Sequence, residues 1–265
     1  MIFKALRYFA ACAFLLLAPS LSFAAVVGDI GFIGFNVDGD DDFAIVVLSD
    51  LTNETIFFSD DEPGAGLGSG ISAEGVLQWE TGATTIPAGS VVIFTDTDLS
   101  TNPFFGSSVG TLTRSNLNMN LAQSGDSIYA FQGTSTEPTQ ADKENPSTVD
   151  IYLTAIASDD FGEDTTGSLA GTGLVAGVSA IEFDTSTADA GSYIGPRSGK
   201  ETFAEYFTLI NDPANWDKTG VTGNGETFLP FDATPFTISA VPEPSAFSLL
   251  ITASAASVLR RRNRS

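Results

Sequence analysis

The apolar positions of this chain fall into short runs separated by clusters of Gly, Asp, Asn, Ser and Pro. Residues 29–35 place Ile30, Phe32 and Ile33 beside glycines, residues 36–42 form an acidic turn, and residues 43–49 return as F-A-I-V-V-L-S, which predicts a β-hairpin. Further strand-like runs follow at 55–59, 75–80, 90–95, 127–132, 149–157 and 178–183, with the last short strands at 228–231 and 235–239. The stretches 60–73 and 98–115, rich in Asp, Gly and Ser, read as exposed loops. One segment has a different period: residues 201–210 put Phe203, Tyr206, Phe207 and Ile210 at helical spacing, with Ser198 available as N-cap and Pro213 beyond the end. The pattern predicts an all-β sandwich with one short helix that caps an open end or edge of the sheets, and with Trp216 in the core.

Both ends of the chain carry a different message. Lys4 and Arg7 precede an apolar run at 8–18, and Ser22-Phe23-Ala24 places small residues where signal peptidase reads them, so the sequence predicts a secretory signal peptide over 1–24, cut after Ala24. At the other end, residues 246–259 are all apolar or small Ser/Thr, and Arg260, Arg261, Arg262 and Arg264 follow at once. A helix over that run is about 21 Å long, short of the roughly 30 Å hydrocarbon core, so it makes a weak anchor whose arginines hold the terminal end inside. Pro242 and Pro244 fix φ and disfavour helix before them, which leaves Glu243 in an extended, accessible segment at the outer face.

Setting these ends aside changes the reading of the charge. The chain has 11 Lys and Arg against 33 Asp and Glu, a net −22; six of the cations but only Glu243 among the acids lie in the two ends, leaving a body at about −27. Such a surface repels nucleic acid and anionic lipid, stays soluble outside a cell and can collect divalent cations. The one cysteine, Cys12, lies in the signal, and there is no histidine. Those absences exclude an intramolecular disulfide framework, a thiolate nucleophile, a Ser-His-Asp triad and a His-ligated zinc site in the body.

The tail resembles the PEP-CTERM sorting signal of Gram-negative bacteria: Pro242-Glu243-Pro244 is the signature, 246–259 the transmembrane span, and Arg260, Arg261 and Arg262 the basic end. The resemblance implies that an exosortase recognises and removes residues 241–265, and that the protein passes from the inner membrane to the cell surface or extracellular matrix, typically in species that make exopolysaccharide. The body over 25–240 more softly resembles bacterial extracellular domains related to the lamin-tail, immunoglobulin-like β-sandwich. That resemblance rests on 28–48, 86–96, 121–133 and 193–216, and implies a binding or structural module without catalytic residues.

Within the body, alternate carboxylates at Asp38, Asp40 and Asp42 form the sharpest candidate site. They suit either a calcium ion wrapped by a turn or a solvated hairpin turn, although the EF-hand pattern fails, with Phe43 where its Gly belongs and Ser49 where its Glu belongs. Asp60-Asp61 and Asp96/Asp98 complete such a site if those strand ends meet. No cofactor other than calcium is implied. Trp79, Trp216 and Tyr193 are candidates for stacking on sugar rings, so a secreted polysaccharide-binding or carbohydrate-active protein is the alternative to a non-enzymatic surface protein.

Overall fold

The structure, a computed structural model, describes residues 24–37, 39, 41–61, 63, 75–98, 101–114, 119–122, 125–135, 147–162, 167–183, 188–219 and 225–239. Residues 1–23 of the expected signal over 1–24, the expected sorting tail over 241–265, Asp38 and Asp40 lie outside them.

In chain order the strands are β1 (Ile30–Asn36), β2 (Asp42–Val47), β3 (Thr55–Ser59), β4 (Val76–Glu80), β5 (Val91–Thr95), β6 (Gly106–Ser107), β7 (Thr111–Arg114), β8 (Ser127–Ser135), β9 (Ser147–Ala157), β10 (Ala180–Glu182), β11 (Ala190–Tyr193) and β12 (Trp216–Lys218); the helix α1 spans Phe203–Ile210. They form two six-stranded sheets ordered β12-β11-β1-β2-β5-β6 and β10-β9-β8-β3-β4-β7. All neighbours are antiparallel except β10, which runs parallel to β9. The expected hairpin is present, pairing Ile30 with Val47 and Asn36 with Asp42 around a register shift between Phe32 and Gly34.

The two sheets meet in an aromatic core. Phe58 of the second sheet lies 4.9 Å from Phe43 and 5.0 Å from Phe94 of the first, measured between ring centroids, and Trp79 meets Phe94 edge-on at 5.5 Å. Each sheet is also covered on its outer face. Over the first, α1 lies against β1, and a strap over residues 229–239 follows it; over the second, residues 161–162 and 167–180 bring Phe161, Leu169 and Leu174 onto Phe57, Phe131 and Tyr152. This double covering explains why β2 reads as continuous apolar sequence: all six of its residues are buried.

Glycines on β1 make the outer packing on the first sheet possible. A Cβ at Gly34 would sit 2.6 Å from the Phe231 ring, and one at Gly31 would reach Ile210 at 3.4 Å. The helix therefore covers a sheet face rather than the open end or edge expected from sequence. Its buried side chains are Tyr206 and Ile210, with Phe203 and Phe207 partly buried beside them. Its N-cap is Thr202, not Ser198: Glu205 returns its carboxylate to the N–H groups of Thr202 and Glu201, at 2.9 Å each, and those bonds hold the exposed Glu205 carboxyl below the usual range. Trp216 is buried as expected, packing on Phe35, Phe183 and Tyr193 and donating its indole N–H to the Ile210 carbonyl at 2.7 Å.

Other expectations need correction. The stretch 98–115 is not one loop, because β6 pairs with β5 and β7 pairs with β4, taking the chain from one sheet to the other. Strands β11 and β12 have no apolar run that marks them in sequence, A-G-S-Y and W-D-K being too short and too polar to stand out. Residues 228–231 and 235–239 are not strands. Gly225–Phe228 is a 3-10 turn, and the strap beyond it is tied down one bond at a time. The Phe236 N–H donates to Gly89, Thr237 to Arg197 and Ser239 to Lys200. Arg197 donates to the carbonyls of Asp232 and Thr234 at 2.9 Å and lies over the Phe236 ring at 5.0 Å. The Tyr206 hydroxyl donates to Thr237 at 2.6 Å.

Candidate functional site at the acidic end

The ends of several strands converge at one end of the sandwich, and each carries an aspartate there. Asp41 and Asp42 sit at the start of β2, Asp60 and Asp61 follow β3, Asp96 and Asp98 follow β5, and Asp126 precedes β8. The strand ends that the sequence leaves as separate candidates do meet. The Thr97 N–H and hydroxyl both donate to the Asp41 carbonyl at 2.8 Å, and the Asp96 N–H donates to Asp42 Oδ1 at 2.9 Å.

A short segment between β7 and β8 organises this charge. The N–H groups of three successive residues each hold an aspartate from a different part of the fold: Asn120 donates to Asp60 Oδ2 at 2.9 Å, Leu121 to Asp41 Oδ2 at 2.6 Å, and Ala122 to Asp126 Oδ2 at 2.8 Å. Buried Met119 and Leu121 join the core and anchor the segment, so its amide dipoles stand fixed against the carboxylates. Nothing in residues 119–122 (M-N-L-A) signals this role, because backbone amides have no side-chain signature.

Asp41 is the most perturbed group of this end. It is 2 % exposed, and burial pushes its carboxyl up to about 8, opposed by the Leu121 N–H and reinforced by the charges of Asp98, Asp126 and Asp42. At neutral pH its proton stays on, which removes one negative charge from the cluster. Arg114 reaches this end from β7, donating through Nη1 to the Asp98 carbonyl, and burial lowers its own affinity for a proton.

Of the aspartates in the candidate calcium turn, Asp42 is described, and its Oδ1 is engaged by the Asp96 N–H. Among the described residues no three acidic side chains are grouped to hold a metal ion. The rings proposed to stack on sugars serve the core instead. Trp79 is wholly buried with its N–H donated to the Val109 carbonyl at 2.8 Å, and Trp216 and Tyr193 are buried against each other and their neighbours. Among the described residues the large exposed aromatic is Phe104, 75 % exposed, in the stretch expected as a loop.

The fold and this end define a two-sheet β-sandwich with an amide-clamped acidic cluster. No family model matches the chain, and searches of curated proteins and of solved structures return no match. Among the described residues no helix is long and apolar enough to cross a membrane. The expected span at 246–259 lies outside those residues.

Proposed function

We propose that this is an exported, non-enzymatic surface or extracellular-matrix protein whose tail is an exosortase address. Signal peptidase removes 1–24 after Ala24, the apolar run at 246–259 pauses in the inner membrane with Arg260, Arg261 and Arg262 inside, and the exosortase cuts near Pro242-Glu243-Pro244. The body then travels to the surface, with exopolysaccharide as its expected surroundings. Its two sheets, antiparallel except where β10 joins β9, are compatible with an immunoglobulin-like sandwich of the lamin-tail kind.

The observation that carries the reading is the fixed order of Pro-Glu-Pro, a short apolar run and an arginine cluster. The fold adds a geometric reason why the tail is separable. The strap is fastened to the body as far as the Ser239 N–H, which donates to Lys200 at 2.7 Å, and contributes Phe231 and Phe236 to the core. Only Ala240 and Val241 intervene before Pro242. A cut in the motif leaves every described core residue on the body side.

The triple change of Pro242, Glu243 and Pro244 to Ala should leave an uncut protein in the inner membrane, and mass spectrometry of the wild-type surface fraction should find no peptide from Ala246 onward. Recovery of such peptides at the surface would show a permanent anchor and refute the proposal.

A further inference from the structure

A groove of about 480 Å³ opens on the outer face of the first sheet, between β1, β2 and β5 on one side and the strap on the other. Its volume is in the range of small-molecule sites. Asn36, Asp42 and Asp96 supply its polar groups, while Ile93, Phe104 and Phe231 supply apolar surface. Asp42 and Asp96 are only 5 % and 6 % exposed, whereas Phe104 stands 75 % exposed. The carboxylates are held in place: Asp42 Oδ1 accepts the Asp96 N–H at 2.9 Å, and Asp96 Oδ1 accepts the Asn102 side-chain N–H at 2.8 Å. Phe104 is placed by its own backbone, whose carbonyl accepts the Thr95 hydroxyl at 2.6 Å.

We propose that this groove binds a small organic ammonium ion, with the ammonium at Asp42 and Asp96 and an apolar body along Ile93, Phe231 and the Phe104 ring. Charge complementarity selects the occupant. The chain carries a net −22, and two of its carboxylate residues, Asp42 and Asp96, lie in the wall of this groove. A bare divalent ion fits less well, because apolar side chains form much of the wall and no acidic trio among the described residues is arranged around a metal. A carboxylate held near an aromatic face and partly shielded from water attracts an ammonium more strongly than an exposed one.

The test uses the full-length protein in a neutral detergent, with n-hexylammonium as probe and hexanol and calcium as comparators, followed by titration calorimetry. Hexylammonium should bind at one site at least tenfold more tightly than hexanol. Asp42→Asn and Asp96→Asn should each weaken it about tenfold. Both substitutions keep the acceptor oxygen, and Asn tolerates the positive φ of 51° at position 96. Phe104→Ala, at an exposed position, should weaken it severalfold with unchanged thermal unfolding, so the proposal stays testable if an Asn variant folds poorly. Equal affinity for hexanol, hexylammonium binding unchanged in all three variants, or displacement of the probe by equimolar calcium would each overturn the assignment.

Discussion

The buried Asp41 carboxyl should make this protein lose stability as the solution becomes alkaline, opposite to the behaviour of a salt-bridged aspartate. In the unfolded chain the group titrates near its ordinary 3.8; in the fold, burial and the charges of Asp98, Asp126 and Asp42 raise it to about 8. Between those values the native state holds a proton that the unfolded state has released, so unfolding becomes easier with each step in pH. The stabilisation is complete below about pH 4 and is lost as pH climbs through about 8. At about 1.4 kcal/mol per unit, the full interval would be worth on the order of 5 kcal/mol. Water entry and relaxation of neighbouring carboxylates reduce that to about 3 kcal/mol, or roughly 6–12 °C of melting temperature for a domain of this size. Asp41→Asn keeps an oxygen for the Leu121 N–H and can never ionise. Urea unfolding at pH 5, 7 and 9, at fixed ionic strength and without divalent cations, should show a steady fall for the wild type. The variant should show a nearly flat profile and be the more stable of the two at pH 9. A wild type as stable at pH 9 as at pH 5, or a variant that retains the slope, would refute the reasoning.

Two further substitutions probe how the strap is held. Gly34→Ala brings a Cβ to within 2.6 Å of the Phe231 ring and should cost about 1–3 kcal/mol in chemical denaturation; a neutral result would mean that the strap does not pack on β1 as described. Arg197→Met keeps an apolar stem over Phe236 but removes the bonds to Asp232 and Thr234, so it should cost about 2 kcal/mol and speed amide hydrogen exchange at Phe236 and Thr237, and unchanged exchange there would show that other contacts hold the strap.

The acidic end was half legible. Asp60, Asp61, Asp96 and Asp98 stand out in sequence as strand-end carboxylates, and their meeting with Asp41 and Asp42 follows if neighbouring strands end together. What holds them was not legible, since the clamp is made by the main chain of Asn120, Leu121 and Ala122, and any residue but proline supplies an N–H. The groove was hidden for a related reason: β1, β2, β5 and the strap contribute one to three residues each from positions nearly 200 apart in the chain.

The sequence by itself determined the strands with strong apolar runs, the helix and the chemical character of both ends, because period, β-branched and aromatic content and charge are local properties. Thr55–Ser59 and Val91–Thr95 are legible for that reason, as is the α1 face of Tyr206 and Ile210. Only the tertiary structure decided that A-G-S-Y at 190–193 is a strand and that P-F-T-I-S at 235–239 is not. Ala190–Tyr193 lies between β1 and β12, which satisfy its backbone on both edges, so it needs no propensity of its own. The strap has the apolar residues of a strand but lies across a sheet face, and its backbone pairing is limited to one isolated parallel bridge between Lys200 and Ile238. Gly34 leaves room for the Phe231 ring and Gly89 for the Phe236 main chain, and that complementarity exists only once segments distant in sequence are brought together.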